Sequence, residues 1–207
     1  MKPRILFVTG NDTGVGKTVF AAMLTRSLRA EGVRVAALKP ICSGGRGDAH
    51  ALHAAAGKVL PLDAVNPWHF RAPLAPVLAA RRERQRLHLR AVAAQVCQVA
   101  NGFELVVVEG AGGLLSPLGE GFDSRDLIAE LHATPIVVCA NRLGAVNQAR
   151  LVQAALPAAT ARRALFVLVN GRKPDRASRD NPELLQEFID AARIIVMPYL
   201  RGGAART

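Results

Sequence analysis

The segment Phe7-Val-Thr-Gly-Asn-Asp-Thr-Gly-Val-Gly-Lys-Thr18 has the residue types that bind phosphate groups. Glycines let backbone N–H groups approach an anion, and a helix that begins directly after them adds partial positive charge. In such a loop the Lys17 ammonium reaches the β- and γ-phosphates of a nucleotide, and the Thr18 hydroxyl ligates Mg²⁺. The spacing therefore predicts that a nucleoside triphosphate binds here together with Mg²⁺.

The match of this segment to the pattern G-x-x-x-x-G-K-[ST] is incomplete. Counted back from Gly16, the first glycine position holds Asn11, and Gly10 stands one residue early. Asparagine adopts left-handed backbone more readily than most residues, so we expect Asn11 to close the loop in that conformation. The alternative is a glycine-rich turn that binds nothing. The strand before the loop and the helix after it favour phosphate binding.

Two more segments carry reactive side chains where buried strands end. Lys39 and Ser43 follow one apolar run, and Glu109 ends another, directly before Gly110-Ala-Gly-Gly113. The carboxyl ends of parallel strands meet at the ligand-binding edge of a sheet, so these residues should face the phosphate loop. A carboxylate at that edge can bind Mg²⁺. The alternatives are a solvated strand end for Lys39 and turn residues for Ser43 and Glu109.

Asp48 and Asn170 carry weaker signals. Asp48 opens the helical segment Asp-Ala-His-Ala-Leu, where a helix cap is the simplest interpretation. Asn170 ends an apolar run, and asparagine is a frequent turn former. From the residues alone, both side chains are better explained by local structure than by chemistry.

The elements that must position these side chains alternate between strand and helix. The apolar runs predict strands at Ile5–Val8, Val33–Leu38, Glu104–Glu109, Pro135–Ala140, Ala164–Val169 and Ile194–Met197. Helical patterns cover 17–28, 87–99, 123–131 and a segment ending at 156, and a last helix is predicted to begin at Asn181 with Pro182 in its first turn. The alternation predicts an α/β fold, one domain over residues 1–207, with a parallel β-sheet and helices on both faces. Residues 201–207 are expected to fray.

Composition narrows the class of protein. A chain of 207 residues, half of them hydrophobic, can bury a substantial core, yet no apolar run has the length of a membrane-spanning helix. The net charge of +11 is spread over dispersed arginines with one Trp and one Tyr, which argues against a nucleic-acid surface. Three cysteines without metal-ligand spacing and a start without a signal-peptide pattern predict a reduced, cytoplasmic protein that contacts neither nucleic acid nor membrane.

Five segments follow one another in a specific order. They are Gly10–Thr18, Lys39-Pro-Ile-Cys-Ser43, Val65-Asn-Pro-Trp68, Val108-Glu-Gly-Ala-Gly-Gly-Leu-Leu-Ser-Pro-Leu118 and Leu143-Gly-Ala-Val-Asn147. Together they resemble the dethiobiotin synthetase family, whose members catalyse the penultimate step of biotin synthesis. The similarity extends over nearly the whole chain and is far more specific than a phosphate loop alone. It implies a fold of the P-loop NTPase type.

The resemblance implies a definite reaction. The family converts 7,8-diaminononanoate (diaminopelargonic acid), CO₂ and MgATP to dethiobiotin, ADP and phosphate. One substrate amine forms a carbamate with CO₂, and the carbamate oxygen attacks the γ-phosphate to give a mixed carbamic-phosphoric anhydride. The neighbouring amine then closes the ring and expels phosphate. Two anions must be brought together, which requires concentrated positive charge.

The resemblance also implies roles for individual residues. Lys17 and Lys39 become catalytic cations, and Asp48 becomes a Mg²⁺ ligand rather than a cap. The implied Mg²⁺ ligands are Thr18, Asp48 and Glu109. The implied nucleotide contacts are Gly14, Val15, Gly16, Lys17, Thr18, Val19, Asp48, Glu109, Gly110, Ala111, Gly112, Asn170, Gly171, Pro198, Tyr199 and Leu200. The implied substrate contacts are Ser43 and, from the neighbouring subunit of a homodimer with shared sites, Gly144, Ala145, Val146 and Asn147.

The chain departs from the family pattern at several points. Relatives often have Thr where Asn11 stands, and some have His where Gln148 stands. Some carry Glu at the position of Gly14. Seven residues follow Leu200, where relatives continue with another acidic nucleotide contact and a closing helix. The adenine side is therefore the part for which the resemblance implies least.

Three other functions are compatible with a phosphate loop in this fold. A cobyric or cobyrinic acid synthetase would add a glutaminase domain with a nucleophilic cysteine, which these 207 residues do not contain. A switch ATPase of division-site selection or plasmid partition would carry an extra lysine early in the loop, where this chain reads Val8-Thr-Gly-Asn-Asp12. The third is an inactive nucleotide-binding scaffold.

Overall fold

A computed structural model describes residues 3–200 of the chain. Its centre is a six-stranded parallel sheet with the order β10-β9-β8-β1-β5-β2. The remaining strands form two small sheets, β3 with β4 and β6 with β7. The strands are β1 (Arg4–Gly10), β2 (Val35–Leu38), β3 (Ile41–Ser43), β4 (Trp68–Phe70), β5 (Leu105–Glu109), β6 (Pro117–Gly119), β7 (Phe122–Asp123), β8 (Thr134–Asn141), β9 (Leu165–Asn170) and β10 (Ile194–Met197). The predicted fraying of 201–207 concerns residues outside the described part.

Helices cover both faces of the central sheet, as the alternation of elements predicts. They are α1 (Lys17–Ala30), α2 (Gly47–Ala55), α3 (Leu62–Val65), α4 (Pro76–Arg82), α5 (Leu89–Ala100), α6 (Ser124–Glu130), α7 (Ala145–Ala155), α8 (Ala158–Ala161) and α9 (Arg176–Gln186), with a 3₁₀ turn at Ala191–Arg193. Across residues 3–200, none of the helices is long and apolar enough to cross a membrane. The α/β fold class is confirmed.

Alternate residues of each central strand pack into two separate hydrophobic cores. Phe7 of β1 lies in the core beneath α5, α6, α7 and α9, whereas its neighbour Val8 lies in the core beneath α1 and α2. Val107 and Val108 of β5 divide in the same way. Because side chains alternate across a strand, a strand buried on both faces is apolar throughout. This explains the continuous apolar runs in the sequence.

The sheet register brings the candidate residues to one edge. Val8 of β1 pairs with Glu109 of β5, and Leu38 of β2 pairs with Val108. Lys39 directly follows Leu38, so its backbone lies beside Glu109 at the carboxyl end of the sheet. The phosphate loop leaves β1 at the same edge. The ends of β1, β2 and β5 therefore position one cluster of polar groups at this edge.

The last helix begins earlier than the sequence predicts. α9 starts at Arg176, with Asp175 as its N-cap, and Pro182 lies inside the helix rather than in its first turn. Proline has no backbone N–H, so the Ser178 carbonyl one turn earlier loses its helical partner. The Asn141 side chain replaces it, because its Nδ2 donates to the Ser178 carbonyl at 2.7 Å. A tertiary contact thus allows a proline that local patterns exclude.

Asp123 is the N-cap of α6, and the first residue of that helix, Ser124, lies close to Gly110. The Asp123 side chain accepts from the backbone N–H groups of Arg125 and Asp126, and the Asp126 carboxylate accepts from the Asp123 N–H. Asp123→Ala removes this capping box and should lower the free energy of unfolding by about 1 kcal/mol in urea titrations. Glu130→Ala, at the exposed end of the same helix, should change it by less than about 0.5 kcal/mol. Equal effects of the two substitutions would contradict the capping role.

Candidate active site

The phosphate loop has the backbone that its glycines predict. Gly14 and Gly16 adopt positive φ angles of 74° and 100°, which residues with side chains rarely adopt. Gly16 precedes the first residue of α1, Lys17, so the N–H groups of that helix open toward the loop. The buried Lys17 ammonium donates to the Asp12 carbonyl at 2.8 Å. Burial and then the charge of Lys39 lower the pKa of Lys17.

Asn11 does not close the loop in the way that the sequence predicts. Among the described residues, the positive φ angles of non-glycine residues occur at Lys58, Arg84 and His132, and Asn11 is not one of them. Gly10 takes the role instead, because a Cβ there would lie 2.9 Å from Val15 Cγ2 and 3.0 Å from the Asp12 carbonyl oxygen. The early glycine therefore permits the tight turn, and the left-handed prediction for Asn11 is wrong.

Asn11 and Gln148 are the two departures from the family pattern that contact each other. Asn11 Nδ2 donates to Gln148 Oε1 at 2.6 Å, which connects the phosphate loop to the first turn of α7 across 137 positions of sequence. Either side chain alone gives no signal in the sequence. Each supplies the hydrogen-bond partner of the other, so the two departures form one matched pair.

Lys39 is the centre of the polar cluster. Its side chain is 4% exposed, and Nζ donates to Glu109 Oε1 at 2.7 Å, to the Gly110 carbonyl at 2.9 Å and to Asp48 Oδ2 at 2.9 Å. An ammonium group has three N–H donors, and these contacts use all of them. Burial lowers the pKa of Lys39, but Glu109 and Asp48 outweigh burial and raise it above its usual value. The interpretation of Lys39 as a solvated strand end is wrong.

Glu109 is 1% exposed, and only one of its oxygens is satisfied within residues 3–200. Oε1 accepts from Lys39 and, at 2.8 Å, from the Thr18 hydroxyl, while Oε2 is buried without a partner. Burial raises the pKa of Glu109 despite the attraction of Lys39, and Asp48 adds to the increase. A buried oxygen without a donor is costly unless a ligand completes it.

Asp48 points into the site rather than capping its helix. Arg46 occupies the N-cap position of α2, and Asp48 lies in the first turn, where Lys39 holds the carboxylate. Burial opposes ionisation, but Lys39 keeps the pKa of Asp48 below its usual value. The cap interpretation of Asp48 is therefore wrong. The side chain is 49% exposed, so it remains accessible to a ligand.

Thr18, Asp48 and Glu109 are compatible with a magnesium ion. Nowhere in residues 3–200 do three or more His, Cys, Asp or Glu side chains gather as a metal-binding group. Mg²⁺ does not require such a group, because it retains waters and is commonly bound by one or two carboxylates together with substrate phosphates. Two carboxylates, a hydroxyl and the unpartnered Glu109 Oε2 fit that preference.

A cavity of about 810 Å³ unites most of the predicted site. Its wall includes Ser43, whose hydroxyl donates to the Leu74 carbonyl at 2.5 Å and ties β3 to the segment before α4. Cys42 also lines it, a residue without a sequence signal, and burial raises the pKa of its thiol. The predicted site residues in this wall are Gly14, Gly16, Lys17, Thr18, Val19, Lys39, Ser43, Asp48, Glu109, Ala111 and Gly112.

A second cavity of about 380 Å³ lies on the other side of the phosphate loop. It shares Gly14, Gly16 and Val19 with the first cavity. The residues predicted on the adenine side all line it: Asn170, Gly171, Pro198, Tyr199 and Leu200. Asn141 lines it as well and was missed, although its position at a strand end matches that of Asn170.

The start of α7 lies away from both cavities. Gly144, Ala145, Val146 and Asn147 are absent from their walls, and Leu143 just before them is 79% exposed. Asn147 instead lines a third cavity on the outer face of α7, together with Arg150 and Leu151. A single chain thus does not bring these four predicted substrate contacts to the Lys39 cluster.

The fold and site define a class of protein. A parallel sheet whose first strand leads through a glycine loop into a helix beginning with lysine and threonine is a P-loop nucleotide-binding domain. The ParA family ATPase from Chlorobium tepidum TLS has a similar fold, with a TM-score of 0.58 and 15% identity, covering 99% of this chain and 87% of that chain. A family model described as an AAA domain matches residues 4–205.

Sequence relatives define the family within this class. The ATP-dependent dethiobiotin synthetase of Akkermansia muciniphila is 35% identical over 190 residues, which are 91% of this chain and 89% of the relative. That of Anaeromyxobacter dehalogenans strain 2CP-C is 45% identical over 157 residues, covering 74% of this chain and 70% of the relative. The chain belongs to the dethiobiotin synthetase family, as the order of its motifs predicts.

Proposed function

We propose that the protein is an ATP-dependent ligase that converts 7,8-diaminononanoate and CO₂ to dethiobiotin, with release of ADP and phosphate. The observation that carries the proposal is the cluster of Lys39, Glu109, Asp48 and Thr18 beside the phosphate loop in one cavity. Lys39, together with Lys17 and a Mg²⁺ ion held by Thr18, Asp48 and Glu109, would supply the concentrated positive charge that the reaction demands where a carbamate approaches a triphosphate. We further infer that residues 1–207 act as one domain in the cytoplasm.

The residues of the cluster and of the two cavities around it have proposed roles. Lys17 leaves the Asp12 carbonyl and binds the β- and γ-phosphates, and Lys39 stabilises the charge that develops as the carbamate oxygen attacks the γ-phosphate. Thr18, Asp48 and Glu109 hold Mg²⁺, which neutralises phosphate charge when bound. Asn170 and the segment 198–200 line the cavity for the base.

The diamine is proposed to lie between Lys39 and the segment before α4. Leu74, Ala75 and Pro117 give the first cavity an apolar wall that suits the aliphatic chain of the substrate. The Ser43 hydroxyl, already oriented by Leu74, can accept from a substrate amine. The substrate carboxylate would be bound by the start of α7 from a second copy of the chain, since helix N-termini bind carboxylates.

The direct test is product formation. The full chain is incubated with 7,8-diaminononanoate, bicarbonate and MgATP, and mass spectrometry follows the ring-closed product while phosphate release is measured. Phosphate release that depends on the diamine, together with product, is expected. ATP hydrolysis that ignores the diamine would instead favour a switch ATPase. Absence of both would favour an inactive scaffold.

Shared sites in a homodimer predict that two inactive variants restore each other. Lys39→Met disables the cluster, and Asn147→Asp sets a negative charge against the substrate carboxylate. In a mixed dimer one site would combine the intact Lys39 of one subunit with the intact Asn147 of its partner. Random exchange of subunits should therefore recover about a quarter of wild-type activity, measured after mixing equal amounts.

The mixing result separates shared sites from sites within one chain. Each variant alone should remain inactive at the total protein concentration of the mixture. This control shows that any activity of the mixture comes from mixed dimers. Sedimentation should report dimers for both variants, because Asn147 is exposed and a carboxylate in the first turn of a helix is favourable. If subunit exchange is demonstrated and the mixture still has no activity, the proposed contribution from the partner subunit is rejected.

A further inference from the structure

The segment Val65-Asn-Pro-Trp68 lies along the backbone of Lys39 and Pro40. The Lys39 N–H donates to the Val65 carbonyl at 3.0 Å, and the Trp68 N–H donates to the Pro40 carbonyl at 3.1 Å. The segment is one of the five that carry the family resemblance, and its residues are absent from the walls of the two cavities. It therefore supports the backbone at the end of β2 and does not itself reach the ligand cavities.

The side chain of Asn66 is 1% exposed and uses its full hydrogen-bonding capacity. Its Nδ2 donates to the Lys39 carbonyl at 2.7 Å and to the Trp68 carbonyl at 3.4 Å. Its Oδ1 accepts from Arg46 Nε at 3.0 Å and from the Cys42 thiol at 3.2 Å. An amide has two N–H donors and an oxygen that accepts two hydrogen bonds. A half turn of this buried amide would set like groups against each other, so the contacts fix one orientation.

Arg46 connects the Asn66 amide to the helix that carries Asp48. Arg46 is the N-cap of α2, and Asp48 lies in the first turn. Besides the Nε contact, Arg46 Nη2 donates to the Asn66 backbone carbonyl at 3.0 Å. Asn66 thus binds the end of β2 and the start of α2 at the same time. These are the two places from which Lys39 and Asp48 form their ion pair at 2.9 Å.

We propose that Asn66 is a positioning residue, which holds the Lys39 ammonium in the geometry that phosphoryl transfer requires. Its effect passes through the Lys39 backbone and through the ion pair of Lys39 with Asp48. Such support matters because a displacement of about 1 Å in an active site can lower a rate about 10²-fold. This inference rests on the proposed function, since that reaction defines the task of Lys39.

Asn66→Leu replaces the amide by an apolar side chain of nearly the same shape. In the full chain kcat should fall at least about tenfold, while the dissociation constant for MgATP changes by less than about threefold. The same substitution is then made in Lys39→Met. Because Asn66 acts through Lys39, the further loss of kcat there should be less than about threefold. Losses that multiply in the double variant would overturn the inference.

Gln95→Met is the matched control. Gln95 is half-buried, and its Nε2 donates to the Ala64 carbonyl at 2.9 Å, two residues before Asn66. Both substitutions remove an amide that binds this part of the backbone, and both should lower the resistance to urea. Gln95→Met should nevertheless keep kcat within about twofold of the wild type. An equal loss of kcat in the two variants would indicate a merely structural role for Asn66 and overturn the inference.

Arg46→Met keeps the inference testable if Asn66→Leu does not fold. The Arg46 side chain is 24% exposed, and the substitution removes both of its contacts with Asn66. The value of kcat should fall about threefold or more, again with little change in the Lys39→Met background. Asp63→Asn is the control, because it removes an exposed ion pair of Arg46 and should leave kcat within about twofold. An unchanged kcat in Arg46→Met would overturn the inference.

Acetylation of Lys39 by acetic anhydride separates this inference from the proposed function. Its rate without ligands, measured by mass spectrometry relative to the exposed Lys58, reports how firmly the ammonium is held. Asn66→Leu should raise this relative rate at least about fivefold, and Gln95→Met should not. That rise in a protein whose wild type forms no ring-closed product would reject the proposed reaction and support the positioning role. Product from the wild type, with kcat and acetylation unchanged in Asn66→Leu, would do the reverse.

Discussion

Lys39→Met is expected to lower kcat by about 10³-fold while the dissociation constant for MgATP changes by less than about threefold. Methionine keeps an unbranched side chain only one atom shorter and removes the charge. In the proposed reaction that charge acts on the phosphoryl group in transit, so its loss affects the transition state more than nucleotide binding. Steady-state rates at saturating diamine and bicarbonate, with calorimetric titration of MgATP, measure both quantities.

The substitution also leaves Glu109 and Asp48 without their shared cation, and loss of one partner of a buried ion pair destabilises by about 3–5 kcal/mol. Unfolding in urea with MgATP present establishes that the variant remains folded under assay conditions. Lys58→Met is the control, since Lys58 is exposed and outside the cavities. Equal losses of turnover and MgATP affinity would count against a catalytic role for Lys39.

The sheet edge was predictable because it follows from local rules. Apolar runs identify strands buried on both faces, and a parallel sheet directs all their carboxyl ends to one side. Lys39, Glu109 and the phosphate loop each follow such a run, so their convergence required no knowledge of tertiary contacts. The residues that the resemblance added near this edge, such as Asp48, do lie at the same cavity.

What the sequence did not reveal depends on contacts between distant residues. Asn11 and Gln148 are 137 positions apart, and neither pattern signals the other. Asn141 supplies the donor that Pro182 lacks, by a hydrogen bond to the Ser178 carbonyl 37 positions away. Because Pro182 is thereby tolerated inside the helix, a rule that starts helices at proline predicts the beginning of α9 too late in the sequence. Local patterns record propensity, whereas these positions are decided by hydrogen bonds that only the fold supplies.

The charged groups around Lys39 are paired with one another in the protein without ligands. Lys39 uses all three donors on Glu109, Asp48 and Gly110, and Lys17 is held on Asp12. In the proposed site Glu109 and Asp48 would hold Mg²⁺, and carboxylates engaged with a metal ion would leave the Lys39 ammonium free for the anionic substrates. Metal binding and activation of Lys39 would then be one event, and Glu109 is the residue that connects them.

Glu109→Gln is therefore expected to raise the Mg²⁺ concentration for half-maximal activity at least about tenfold and to lower kcat about 10²-fold. The amide keeps an oxygen for Lys39 and Thr18 but turns a donor toward the position now held by the unpartnered Oε2, where a cation would be repelled. Product formation is titrated with MgCl₂ at fixed free ATP, so that nucleotide and metal effects are separated.

Glu104→Gln supplies the matched control for this titration. Glu104 precedes the same strand at its opposite end, is exposed, and pairs only with Arg34 at the surface among the described residues. The same loss of a carboxylate there should leave both the Mg²⁺ dependence and kcat unchanged. An unaltered Mg²⁺ titration in Glu109→Gln would remove Glu109 from the metal site. If kcat falls but the Mg²⁺ titration is unaltered, the only role left for Glu109 is to hold Lys39. The Gln oxygen preserves the contact with Lys39 but not the charge.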